Sequence, residues 1–124
     1  MKKITFLLLS LLFLLLGCGT SSDPIDVDYG SDYLIIVTQD RPSVVGNTLR
    51  VVLFYNGCEP NHEFELNTLE ADNNEYEVWL RKITPNQDCE QSFEESREFE
   101  LPAETNQSRI RFTAPNFEGI LREI

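Results

Sequence analysis

Histidine, tryptophan and methionine each occur once in these 124 residues, and cysteine occurs three times. A single His excludes a multi-histidine metal centre and leaves little material for a nucleophilic triad. Nothing here resembles a G-x-S-x-G elbow either. Basic residues are also scarce, with 10 Lys+Arg against 21 Asp+Glu and a net charge of −11. Neutralising a phosphate backbone takes clustered Lys and Arg, so nucleic acid is excluded as a partner. No stretch sustains a 3.6-residue period, which argues against a helical protein. Long apolar runs are missing except at Ile4 to Leu16, thirteen residues in which only Thr5 and Ser10 are polar. Crossing a bilayer as a helix takes about 20 apolar residues, so this run is too short. The length allows one small domain.

What the apolar run does fit is the core of a secretory signal peptide, typically about 7–15 residues long. Met1-Lys2-Lys3 supplies the basic start, and Leu15-Leu16-Gly17-Cys18 ends the run, followed by Gly19-Thr20-Ser21-Ser22. This order of charge, apolar length, small residue and Cys resembles the lipobox of bacterial lipoproteins. The resemblance implies a diacylglyceryl thioether on Cys18, cleavage after Gly17 and acylation of the new amino terminus, palmitate included. Two or three acyl chains hold a protein stably on a membrane, whereas one gives only marginal, reversible binding. It therefore implies a cell-envelope location. Gly19 stands where an Asp commonly signals inner-membrane retention in one bacterial group, which points to the outer membrane.

Cleavage leaves Cys18 to Ile124. Losing Lys2 and Lys3 moves the net charge from −11 to −13, since every acidic residue lies beyond the cleavage point. The apolar share falls as well, because twelve hydrophobic residues leave with the signal. A domain this small buries only about 60–65% of its unfolded surface, so a covalent staple is useful. Disulfides persist outside the cytoplasmic membrane. Cys58 and Cys89 are therefore expected to pair, for about 3–4 kcal/mol of stabilisation in the chain-entropy account.

Residues 18–31 (ending GTSSDPIDVDYGS) are polar and read as a lipidated flexible tether, leaving residues 32–124 as the domain. Within it, alternating short segments predict strands at Tyr33 to Thr38, Thr48 to Tyr55, His62 to Leu66, Glu75 to Ile83, Glu98 to Leu101, Arg109 to Thr113 and Gly119 to Ile124. Leu49, Val51, Leu53 and Tyr55 share one face, and His62, Phe64 and Leu66 point inward. Asn56-Gly57 predicts a turn. Glu90 to Arg97 is the one candidate for a helical turn, and Trp79 and Phe99 are assigned to the core. Short alternating strands with regular turns predict an all-β fold, a small antiparallel, immunoglobulin-like β-sandwich, with a small β-barrel as the second choice.

Candidate chemistry centres on Gly57-Cys58-Glu59-Pro60-Asn61-His62-Glu63-Phe64-Glu65-Leu66, answered by Asp88-Cys89-Glu90. This pattern resembles one found in small β-rich secreted bacterial proteins without an assigned activity, so it implies a fold and a disulfide but no reaction. Read as ligands, Cys58, His62 and Cys89 make an alternative zinc or copper set. An oxidised cysteine pair supplies no thiolates, however, so the disulfide is preferred and no metal or other cofactor is expected. Asp26 to Asp32 opens like a calcium loop, yet Gly30, Ser31 and Val37 occupy its fifth, sixth and twelfth positions, and the match fails. The pairs Glu63/Glu65, Glu94/Glu95 and Glu98/Glu100 read as solvated surface charge rather than acid–base machinery. Outward charge of this kind also discourages strand edges from associating.

The expected protein is a lipid-anchored, non-enzymatic envelope module that contacts another envelope protein or a peptide along a strand edge. The alternative is a periplasmic metal or small-ligand carrier built on Cys58, His62 and Cys89.

Overall fold

The computed structural model describes residues 27–71 and 74–124. The expected signal peptide, the expected lipidation site Cys18 and most of the expected tether lie outside the described residues.

The longest strand, β3 (Thr48–Gly57), shows the rule that builds the rest. Successive strand side chains point to opposite faces. Leu49, Val51, Leu53 and Tyr55 all turn inward and are buried, while Arg50 and Asn56 face solvent. One side of β3 pairs with β1 (Leu34–Ile35) and β2 (Ser43–Val45), and the other with β6 (Gln91–Glu100), all antiparallel. A second sheet runs in the order β4 (Phe64–Glu70), β5 (Glu75–Lys82), β7 (Arg109–Ala114), β8 (Phe117–Arg122). The two sheets pack face to face over one core that includes Phe64, Val78, Leu80, Ile110 and Phe112. This is the expected small all-β sandwich, and the sheets do not close into a barrel.

One pairing is parallel: β5 with β7, Tyr76 beside Ile110 and Val78 beside Phe112. Between these strands the chain crosses to the other sheet as β6 and returns through a 3-10 turn at Ala103–Thr105. That crossover, rather than a hairpin, sets their direction. Arg122 secures the return. It donates from Nε to the Ser108 carbonyl (2.9 Å), from Nη1 to that of Gly46 (3.0 Å), and from Nη2 to that of Thr105.

Five expectations need correction. Glu90 to Arg97 is not a helical turn: Gln91–Arg97 lies in β6, where pairing with ten residues of β3 overrides the acidic composition. Trp79 is outside the core. The alternation that buries Val78 and Leu80 turns Trp79 to the outer face, across from Asn67 and Thr113. Phe99 does pack against the core. The expected turn at Asn56-Gly57 is instead the end of β3. Strand β1 is only two residues long. On its side away from β3 the Asn116 side chain stands in for a neighbouring strand, accepting from the Ile35 amide and donating to the Ile35 carbonyl, both at 2.8 Å. Finally, Val27 to Ser31 belongs to the domain rather than the tether. Tyr29 packs on the core, and Gly30 bridges to Lys82 in a left-handed conformation (φ 75°) where any Cβ would strike the Lys82 carbonyl.

Candidate functional site

Cys58 and Cys89 form a disulfide with Cα atoms 4.9 Å apart. The ladder between β3 and β6 ends at Gly57 beside Gln91, so the bond links the chain leaving β3 to the chain entering β6. Gln87 braces this corner, its Oε1 accepting from the Cys58 amide (2.7 Å) and its Nε2 donating to Glu59 (3.1 Å).

His62 lies beneath, inward as expected and 2% exposed. Its ring stacks on Tyr55 with centroids 4.4 Å apart. Gly57 is a glycine for lack of room: a Cβ there would stand 2.5 Å from His62 Cε1. Neither ring nitrogen has a hydrogen-bond partner among the described residues, so no hydroxyl or thiol is coupled to this imidazole. Both cysteines are spent on each other. The set Cys58, His62 and Cys89 thus offers no pair of thiolates, and among the described residues no group of three or more His, Cys, Asp or Glu is arranged to hold a metal ion.

Around Tyr55 the structure assembles a polar network. The Tyr55 hydroxyl donates to Glu95 Oε1, which also accepts from the Asn61 amide (2.9 Å). Glu95 Oε2 is held by Arg97 through Nε (3.1 Å) and Nη2 (2.8 Å). Burial by itself pushes the Glu95 carboxyl up, but the bonds from Tyr55, Asn61 and Arg97 outweigh it and hold the group below the usual carboxylate range. Desolvation, reinforced by the bond to Glu95, pushes the Tyr55 phenol above its ordinary value. Arg97 in turn lies over the Phe64 ring, 5.3 Å from its centroid.

Lys82, 1% exposed, approaches the Tyr55 ring from elsewhere, its ammonium 5.5 Å from the centroid. It donates to Ser31 Oγ (3.1 Å) and the Thr84 carbonyl (3.0 Å), with no carboxylate of the described residues in contact. Desolvation therefore draws its pKa below the ordinary lysine value, although Asp32 pulls the other way. Glu95, expected from the sequence to be solvated surface charge, is instead mostly buried in this network, where Tyr55, Asn61 and Arg97 satisfy it. Glu94, by contrast, is exposed. Lys82 did not stand out in the sequence. Strand phase was the available signal, since Glu95 lies midway between Phe93 and Arg97 and Lys82 follows Val78 and Leu80 at steps of two.

Beside this network, a half-open cleft of about 1060 Å³ lies between the segment entering β1, the end of β3 and the loop carrying Cys89. Tyr29 and Phe54 give it aromatic walls, and Asp28, Asp32, Asp88 and Glu90 line it with carboxylates. Asp32 is tied to Asn86, and Asp28 to Arg81. Among the described residues no Lys or Arg lines the cleft, so its charge repels anions and favours neutral or cationic molecules. No family model matches the chain, and neither a curated protein nor a solved structure matches it.

Proposed function

We propose that this protein is a bacterial cell-envelope lipoprotein, anchored through acylated Cys18, whose β-sandwich acts as a structural or protein-binding module on the outer membrane. The observation that carries the reading is the ordered series Lys2-Lys3, thirteen apolar residues, Gly17 and Cys18. Two features of the domain support it. The Cys58–Cys89 disulfide suits an oxidising compartment. The sandwich leaves long strand edges unpaired among the described residues, the usual means by which a small β domain engages a peptide. Replacing Cys18 with Ser tests the anchor: the variant should accumulate as an unprocessed precursor without lipid. A variant that is still processed and still partitions into detergent would contradict the reading.

A second reading, a small-ligand carrier, is favoured by the 1060 Å³ cleft rather than by Cys58, His62 and Cys89. Its ligand would be neutral or cationic. Thermal shift against a panel of sugars and polyamines tests it, and no shift for any of them counts against a carrier.

A further inference from the structure

Strand β6 is ten residues long, carries no proline, and pairs only with β3; among the described residues nothing hydrogen-bonds to the backbone along its other side. The direction of its backbone groups follows from neighbouring bonds. The Ile36 amide donates to the Val52 carbonyl at 2.9 Å, so even-numbered residues of β3 aim at β1 and odd-numbered ones at β6. Their partners on β6 are Gln91, Phe93, Glu95, Arg97 and Phe99. The Leu101 amide continues the series by donating to the Asn47 carbonyl at 2.9 Å. Ser92, Glu94, Ser96, Glu98 and Glu100 therefore turn every N–H and C=O toward the open side. The side chains of these same five residues are all exposed on the outer face.

We propose that this edge binds an extended segment of another polypeptide with Lys or Arg at alternate positions, added antiparallel as a new edge strand. In such a pairing, guest residues directly opposite Glu94, Glu98 and Glu100 share their face and meet them at close range. Glu98 already holds Arg50 at 2.8 Å, whereas Glu94 lies across from Phe54 and Glu100 across from Thr48, neither a cation. The intervening guest residues face inward, beside half-buried Phe93 and Phe99 and the Glu95–Arg97 pair between them, and those next to the two Phe rings are apolar. The same charges disfavour a second copy of the chain: with two β6 edges fully overlapped about Ser96, Glu94 falls opposite Glu98 at both ends. The other open edges suit less well, since β1 and β2 are short, β8 carries a bulge near Ile110/Arg111, and β4 has fewer carboxylates.

This inference rests on the domain being a binding module, so its test is kept separate from lipidation. The probe is a fluorescent nine-residue peptide of alternating Lys and Val, titrated against the full chain in detergent. Expected are saturable binding that weakens with salt, and new amide-exchange protection at Ser92, Glu94, Ser96, Glu98 and Glu100 but not at the already bonded residues between them. Each charge pair contributes about 1.4- to fivefold, so E94Q/E98Q/E100Q should weaken binding by between about threefold and about a hundredfold. Ser96→Pro removes an N–H that β3 does not use, so it should abolish binding while the melting curve is kept. No binding at about 1 mM peptide, equal binding of a Glu–Val peptide, or binding that leaves those five amides unprotected would each overturn the proposal. Should Ser96→Pro unfold the domain, the triple Gln variant still decides. Loss of edge binding with Cys18 lipidated overturns this inference alone; binding without lipidation overturns the anchor alone.

Discussion

Replacing both Cys58 and Cys89 with Ala removes the covalent link while leaving two small apolar side chains. The bond spans 31 residues, a loop that holds all of β4 and β5. In the chain-entropy treatment, opening a loop of that length returns about 12 cal/mol/K to the unfolded ensemble, or about 3.7 kcal/mol at 25 °C. A domain of this size is stable by only about 5–15 kcal/mol, so the loss is a large share. Since 1 kcal/mol moves the midpoint of a domain near 100 residues by about 4–8 °C, the variant should melt at least about 15 °C lower. The ladder between β3 and β6 is otherwise intact, so far-ultraviolet circular dichroism at low temperature should match the parent. The assay is thermal and urea denaturation of both proteins followed by that signal. A loss below about 1 kcal/mol would refute the reasoning, because it would mean that β4 and β5 are held by packing alone and that the low apolar content needs no staple.

Three further outcomes follow from the geometry. Gly57→Ala drives a methyl into the His62 ring and should destabilise by about 1–3 kcal/mol in urea denaturation; a neutral result would show that the His62–Tyr55 stack is loose. Glu95→Gln should cost about 1.5–3 kcal/mol at pH 7, since three donors lose a charged acceptor. Because the native Glu95 carboxyl sits below the usual range, that advantage is complete above about pH 5 and fades as pH falls below about 4; stability measured against pH should show the two proteins converging on the acid side, and a gap that persists would contradict it. Trp79 is the sole tryptophan and lies on the outer face. Trp79→Ala should therefore cost less than the about 3–5 kcal/mol expected for Phe112→Ala, and the Trp79 fluorescence should be open to acrylamide quenching.

Much of the fold was legible because strand alternation is a local signal. Leu49 to Tyr55 and Arg109 to Thr113 show their buried faces directly, and His62 and Phe64 fall inward as their period requires. Where a feature depends on a distant partner, the residues alone mislead. Gln91–Arg97 becomes a strand only because β3 is there to pair with it, and the pair β5–β7 is parallel only because β6 lies in the other sheet. Trp79 shows a different error, since bulk and apolarity were weighed above the phase set by Val78 and Leu80. At the site, the disulfide and inward His62 were readable from compartment and period. Glu95 reads as solvated charge and Lys82 does not stand out, because such residues are almost never buried without partners. Part of the partnering comes from far along the chain: Tyr55 and Asn61 for Glu95, Ser31 for Lys82. The left-handed Gly30 and the strand-like Asn116 side chain are tertiary arrangements with no local signature.

The central claim is that this sandwich is carried on a lipid-modified Cys18. Intact-mass and N-terminal peptide mass spectrometry of the protein purified from bacterial membranes tests it most directly. The account predicts a chain beginning at Cys18 with the added mass of a diacylglyceryl group and an amide-linked acyl chain. A chain that keeps Met1 to Gly17, or one cleaved there with an unmodified Cys18 thiol, would contradict it.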